Sequence, residues 1–392
     1  MPTLKLRHQL AAYSPVGPGS IAGALLASAG FRPGAPAKLR ARLLAGYAAR
    51  DVLLCGSGTQ SLQCAIAMVM RGARGDGIVA LPAFNCYDMA SAAIGAGARV
   101  ALYDVDAETL APDPASFERV LAGGASAAVL ACLYGVPYDW DALAAIAMRY
   151  GVPLVEDAAQ GHGASWRGVP LGALGRTSII SFGRGKGWTG GNGGAVLLRD
   201  GEAAKPRSLD DASPGTRTAI GLAAQWALGR PSLYGWPRSI PSLALGETMY
   251  HAPVTPAAMS GAAAAAALAN EAASDVEGRR RVVNARRFTE SLTGGSARQI
   301  RVNSDARPGY IRFPVLLPDG ARSLPPRAAE LGVSPSYPTT LAELPELRES
   351  LVTIEAGFPG ADRLARELVT LPVHSLLDEI EQAEIIALLR DV

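Results

Sequence analysis

The sequence predicts an α/β protein with a mixed, mostly parallel sheet held between helices in a large domain, plus a small C-terminal α+β domain. Three observations predict this. Short apolar runs recur seven times between residues 52 and 200; helix-length segments lie between the earlier runs; and the last two runs are joined by a glycine-rich link with no helix in it.

Taken in order, VLLC (52–55) reads as a strand, CGSGTQSL (55–62) as a turn, and 59–71 as a helix. IVAL (78–81), RVALYDV (99–105) and AAVLACL (127–133) continue the series; a helix is expected over 139–150, then a strand at VPLVED (152–157). SIISF (178–182) and GAVLLRD (194–200), lacking a crossover helix between them, are expected to lie antiparallel. From 201 to 256 Pro and Gly are frequent and Trp226 and Trp236 appear, which predicts an irregular excursion on the surface or at an interface. Residues 257–292 predict one long helix or two, ending near Gly294. The Ala-rich stretch 257–268 is short and runs into Asn270, Glu271 and Asp275, so it reads as a buried helix and not a membrane span. A strand at 309–317, a helix around 322–331 and a last helix at 377–390 complete the tail. Domains are accordingly expected over 1–256 and 257–392.

Bulk properties narrow the function. With 392 residues, 49% of them hydrophobic, the chain can bury a large core. A net charge of +2 without a dense basic stripe argues against nucleic acid as a partner. The densest basic run, RRRVVNARR (279–287), reads as a solvated helix face. Cys55, Cys64, Cys86 and Cys132 form no CxxC pair, which suggests neither a metal site nor a disulfide framework. The stretch MPTLKLRHQLAAYSPVGPGS has no long apolar segment, so a cytoplasmic protein is expected.

The chemistry is carried by three motifs at separate strand ends. In CGSGTQSL a strand ends, two glycines turn the chain and a helix begins; the free N–H groups of a helix start suit a phosphate, although plain turns use glycine as well. In VPLVEDAAQGHG (152–163) an apolar strand ends in Glu156-Asp157, followed by Gln160 and His162. A strand-end carboxylate lies where α/β folds bind ligands and can hold a cationic ring nitrogen; the plainer reading is a helix cap. In SFGRGKGWTGGNGGAVLL (181–198), Ser181 and Lys186 flank a loop whose glycines allow close backbone approach. Lysine is scarce, at Lys5, Lys38, Lys186 and Lys205 alone, so each one invites a question. Unlike arginine, it can act as a nucleophilic amine and form a Schiff base with a carbonyl cofactor. A phosphate cradle, a strand-end aspartate and a lysine together are the parts that pyridoxal phosphate (PLP) chemistry requires.

In this order, SGT, then EDAAQGHGA, then SFxxxK followed by GGxGG, the sequence resembles the DegT/StrS-type sugar aminotransferases, which are fold-type I PLP-dependent enzymes. The similarity continues through residues 82–114, 132–143 and 371–381. The resemblance implies that Lys186 and Asp157 are catalytic, Lys186 through a Schiff base to PLP and Asp157 through the pyridine nitrogen. It implies that Gly58, Thr59 and Ser181 hold the phosphate, Gln160 the ring hydroxyl side, and Ala159 one ring face. Cys86 falls where the family has an aromatic on the other face, with Phe84 or Tyr87 as substitutes. His251 falls where relatives reach the partner subunit's phosphate with Asn; Pro253 replaces a nearby Arg, Asn192 a carboxylate, and Gly183 the third residue of SFH.

The implied function is transfer of an amino group from an amino-acid donor, glutamate, to a keto acceptor, a nucleotide-linked keto sugar, by a homodimer. Trp226, Tyr234, Trp236 and Arg238 are candidates for contact with the acceptor or for packing between subunits. Two other readings stay open: an enzyme of the same fold acting on a non-sugar carbonyl compound, and a non-catalytic sensor or partner protein. A family sugar dehydratase would carry His in place of Lys186, and a cysteine desulfurase a Cys later than Cys132.

Overall fold

The computed structural model describes residues 7–72, 76–200, 209–240 and 248–390. Lys5, Lys205 and the parts 201–208 and 241–247 of the expected excursion lie outside the described residues.

The large sheet has eight strands: β1 (Asp51–Cys55), β2 (Ile78–Pro82), β3 (Arg99–Tyr103), β4 (Ala127–Ala131), β5 (Leu154–Asp157), β6 (Thr177–Ser181), β7 (Gly194–Leu198) and β8 (Leu351–Val352). Their spatial order is β1-β7-β6-β5-β4-β2-β3-β8. Only β7 runs against the others, pairing antiparallel with both β1 and β6. The sheet is therefore mixed and mostly parallel. All five residues of β2 are buried, as expected of a strand covered on both faces. Its side chains alternate between two cores. Val79 and Leu81 pack with Leu62 and Ile66 of helix Gly58–Gly72, whereas Ala80 packs with Phe117 and Leu143 of the helices on the opposite face. Each fully buried Leu or Ile contributes roughly 1.5–3 kcal/mol.

Helix starts follow the local chemistry. Asp113 Oδ1 accepts the Ser116 N–H at 2.7 Å ahead of helix Pro114–Ala122, and Asp139 Oδ1 accepts that of Ala142 at 3.0 Å ahead of helix Trp140–Tyr150. Ser260 caps a single 31-residue helix, Gly261–Ser291. Its first turns bury Ala263, Ala264, Ala265 and Ala267 in the core on the Ala80 side. Its last turns give Ala285 and Phe288 to a separate core with Phe313, Val315, Val369, Leu371, Ile385 and Leu389. That second core lies on a four-stranded antiparallel sheet of 298–299, 313–316, 334–335 and 368–371.

Two expectations need correction. The stretch 201–256 is not irregular throughout, because helices Gly215–Leu228 and Pro231–Arg238 form within it. Gly221 does not break the first, since Thr218, Ala219 and Leu222 give it a buried stripe, and Gly229 caps its end. The basic run 279–287 is not a wholly solvated face. Arg281 is 1% exposed because it shares the inner stripe of the long helix with Glu277, Asn284 and Phe288.

Candidate active site

The strand ends put the site together. Ser57, Asp157 and Ser181 follow or finish β1, β5 and β6 at one edge of the sheet, and Gly193 precedes β7 there because β7 runs the other way. A cavity of about 250 Å³ opens at this edge. Gly58, Thr59, Cys86, Asp157, Ala159, Gln160, Ser181 and Lys186 all line it. Of the residues singled out by sequence, His251 does not. Its Nδ1 lies 2.9 Å from Asp88 Oδ1, and Asp88 lines the cavity.

Adjacent carboxylates at the end of β5 have opposite surroundings, since neighbouring strand residues face opposite sides. Glu156 Oε1 and Oε2 accept the N–H groups of Gly172 (2.5 Å), Leu174 (2.9 Å) and Gly175 (2.9 Å) and the hydroxyl of Ser178 (2.7 Å). It is a structural acceptor for the loop before β6. Asp157 faces the cavity, accepts one N–H from Ala159 at 2.9 Å, and makes no ion pair among the described residues. Burial pushes its carboxyl above the ordinary value; the Ala159 N–H and the Lys186 charge pull it part of the way back. No helix follows β5, so Asp157 is not a helix cap.

On the far wall, helix Gly58–Gly72 starts with Ser57 as its cap, Ser57 Oγ accepting the Gln60 N–H at 3.1 Å. Gly58 stands against Ser181: a Cβ at 58 would lie 2.6 Å from Ser181 Oγ. Gly193 has φ +102, and a Cβ there would meet Met259 Cε at 2.6 Å. Small residues at both places leave room for a group resting on the helix start. Gln160 is fixed from both sides, its Oε1 accepting the Tyr134 N–H at 2.8 Å and its Nε2 donating to Tyr337 Oη at 3.2 Å.

The cavity fits PLP in the chemistry of its donors. A half-buried carboxylate without an ion-pair partner among the described residues suits a protonated ring nitrogen, a helix start with Thr59 and Ser181 suits a phosphate, and Lys186 supplies the amine. Phe84 and Tyr87 are not available to a ring face. Phe84 is fully buried edge-on to Tyr337 at 5.4 Å, and Tyr87 Oη is 2.5 Å from Thr339 Oγ1. Neither lines the cavity, because both side chains are used in packing the segment 337–341 onto the large domain. Cys86 is the side chain from this segment that, with Asn85, Asp88 and Met89, faces inward.

Ser57, Asn85, Met89, Cys132 and Leu133 line the cavity without having been singled out. Ser57 sits within the SGT signal. Asn85 lies on the turn after β2, Met89 in the first turn of helix Asp88–Gly95, and Cys132 and Leu133 just after β4, where such side chains carry no distinctive pattern.

Comparison with known proteins agrees with this arrangement. Residues 34–217 match the model of the DegT/DnrJ/EryC1/StrS aminotransferase family. Over 149 residues the chain is 42% identical to L-glutamine:2-deoxy-scyllo-inosose aminotransferase of Streptomyces paromomycinus, covering 38% of this chain and 35% of that protein. It is 37% identical over 161 residues to 3-amino-5-hydroxybenzoate synthase of Amycolatopsis mediterranei, covering 41% of each. The aligned part thus spans well under half of these curated relatives. Among solved structures, AtS13 from Actinomadura melliaura superposes with a TM-score of 0.77 at 22% identity, covering 98% of this chain and 99% of that one. The sugar aminotransferase CalS13 from Micromonospora echinospora gives 0.76 at 21%, covering 97% and 98%. At such identities the likeness is one of fold, and the fold is the fold-type I transferase fold.

Proposed function

We propose, for a chain whose residues 34–217 match the model of the DegT/DnrJ/EryC1/StrS aminotransferase family, that it is a PLP-dependent aminotransferase carrying an amino group from an amino-acid donor to a keto acceptor. The observation that carries this reading is the one cavity onto which the lysine, the half-buried unpaired carboxylate and the helix start all converge.

When bound, PLP supplies an aldehyde able to carry an amino group and a ring that draws electrons from the neighbouring carbon. The residues of this chain do the rest. Asp157, half-buried and without an ion-pair partner among the described residues, would keep the ring nitrogen protonated. Gly58, Thr59 and Ser181 hold the phosphate at the helix start. Ala159 and Cys86, on the cavity wall, would flank the ring, and Gln160, locked by Tyr134 and Tyr337, would hold its hydroxyl side. Lys186 Nζ takes the proton from the substrate carbon and returns it on the other side of the transfer. His251 serves the phosphate of a second subunit in a homodimer.

The donor is glutamate or its amide glutamine; several relatives carry L-glutamine in their names. For the acceptor, a nucleotide-linked keto sugar is the reading we adopt. Asn192, in place of the family carboxylate, lines the cavity and bears on that choice. The decisive experiment is an absorbance titration. PLP should give a visible band that glutamate or glutamine bleaches, and borohydride should fix the cofactor to Lys186. Fixation that survives in Lys186→Ala, or a PLP band that neither donor alters, defeats the proposal.

A further inference from the structure

Five of the nine residues from 183 to 191 are glycine, and Lys186 stands between two of them, Gly185 and Gly187, whose φ angles are +73 and +84. Glycine gives up more conformational freedom on folding than any other residue, so a stretch of this composition keeps one shape only where other parts of the chain fix it. The structure fixes it at its base and at its crown.

The base closes on Phe182, directly after β6. The Gly190 N–H donates to the Phe182 carbonyl at 2.9 Å, and Thr189 Oγ1 donates to the same carbonyl at 3.1 Å while accepting the Gly191 N–H at 2.9 Å. The long helix Gly261–Ser291 then holds this base. Trp188 Nε1 donates to the Ala267 carbonyl at 2.7 Å, and Asn270 Nδ2 donates to the Thr189 carbonyl at 2.9 Å. Asn270 is the first polar side chain after eight apolar residues, 262–269, and it is 2% exposed. Asparagine is a poorer helix former than alanine, and its amide is costly to bury without partners. Packing of the helix alone would favour another alanine there; the Thr189 carbonyl accounts for the amide.

At the crown, Ser14 Oγ accepts the Gly187 N–H at 3.2 Å. Ser14 is buried in the stretch before helix Pro18–Ser28, and its own carbonyl accepts Gln225 Nε2 at 3.3 Å. Residue 187 has no room for a side chain that could anchor the turn from within: a Cβ there would lie 2.9 Å from His162 Cβ and 3.3 Å from Arg281 Nη2. The anchors accordingly come from far along the chain, 81 positions from Thr189 and 173 from Gly187. Neither Asn270 nor Ser14 lines the cavity, whereas Gly183, Lys186 and Gly191 do.

We propose that Asn270 and Ser14 are positioning residues for Lys186: by fixing the backbone on its C-terminal side, they keep its amine directed into the cavity, ready for the carbonyl of PLP. This rests on the aminotransferase reading and adds to it two residues that touch neither cofactor nor substrate.

The test is a double-mutant cycle on cofactor affinity, with PLP titrated by fluorescence into the cofactor-free full-length chain. Asn270→Ala and Ser14→Ala should each weaken PLP binding about tenfold when Lys186 is present. In the Lys186→Ala background, where no amine is left to position, the same substitutions should change affinity less than about twofold. A residue serving only the fold would weaken binding equally in both backgrounds, and that result overturns the role, as does an unchanged affinity with Lys186 present. The two anchors come from different parts of the chain, so if one variant fails to fold, judged by circular dichroism, the other still decides. Hydrogen exchange in the cofactor-free protein is a second measurement. The backbone amides of 183–191 should exchange about tenfold faster in each variant than in wild type, and equal exchange overturns the anchoring. Borohydride fixation separates this role from the reading beneath it. Wild type fixed at Lys186, with affinities indifferent to both substitutions, removes the positioning role alone. Wild type that is never fixed at Lys186, with faster exchange in the variants, keeps the anchors and removes the reading.

Discussion

Asp157 accepts one hydrogen bond, from the Ala159 N–H at 2.9 Å, while half-buried in the wall of a cavity that Lys186 also lines. Its neighbour Glu156 accepts four. The contrast marks Glu156 as part of the scaffold and Asp157 as a charge kept ready for a ligand.

Asp157→Asn should therefore separate stability from activity. Burial holds the Asp157 carboxyl above its ordinary value. A carboxyl whose folded pKa exceeds its unfolded one weakens the fold as pH rises from the unfolded value through the folded one, so at neutral pH the full penalty applies. In urea unfolding at pH 7, the cofactor-free Asn variant should be more stable than wild type by roughly 0.5–2 kcal/mol. Amino transfer by the PLP-loaded variant should fall about 10²–10⁴-fold. A variant that is less stable and fully active would show that the carboxylate serves the fold.

Gly58→Ala should weaken PLP binding about tenfold, or roughly 1.4 kcal/mol. The added Cβ would come within 2.6 Å of Ser181 Oγ and 2.7 Å of Ser181 Cβ, so helix start and β6 end would be forced apart where the phosphate rests. Ser181→Gly in the same chain removes both clashing atoms and should recover part of the affinity, less the hydroxyl's own bond. A fluorescence titration of cofactor into each apoprotein checks this. Equal affinity in wild type and Gly58→Ala would move the phosphate elsewhere.

What the sequence revealed, and what it hid, follows from range. The strands and the SGT, EDAAQ and SFxxxK stretches are local: apolar runs, turn glycines and strand-end polar residues record their surroundings within a few positions. The sheet's single antiparallel strand was legible because a glycine-rich link cannot cross over. Burial of Arg281 was not, because its basic neighbours Arg279 and Arg280 do face water and only the 277-281-284-288 stripe betrays it. The orientation of Phe84 and Tyr87 away from the cavity depends on Tyr337 and Thr339, some 250 positions away, and nothing near residue 84 signals it.

Acid should loosen the fold well before the carboxylates titrate. Burial, aided by the Arg281 charge, depresses His162 to about 4, and burial lowers His374 and His8 as well. A histidine depressed in the folded state adds stability that is complete above its unfolded pKa near 6.5 and is lost as pH falls below it, for His162 until about pH 4. Urea midpoints should hold steady from pH 8 to 7 and then drop toward pH 4.5. His162→Gln should flatten part of that drop. A midpoint unchanged across this range would mean that these rings are not held neutral.

Cys86 offers a test of the cavity that needs no substrate. Cys55 and Cys64 are buried in the body of the fold and Cys132, which also lines the cavity, is buried too, whereas Cys86 is half-buried on the cavity wall. Burial pushes its thiol pKa up, with the Lys186 charge pulling the other way, so its thiolate is scarce at neutral pH and alkylation should be slow. Iodoacetamide should nevertheless modify one cysteine of the native cofactor-free protein, and peptide mass mapping should place it at residue 86. PLP lying over that side chain should slow the reaction about tenfold or more, as exclusion from a filled site requires. Cys86→Ser should abolish the labelling and leave the PLP absorbance band in place. Should PLP fail to protect the thiol while still being fixed to Lys186, the ring would lie away from Cys86 and its second face would rest on another lining residue, such as Met89 or Leu133.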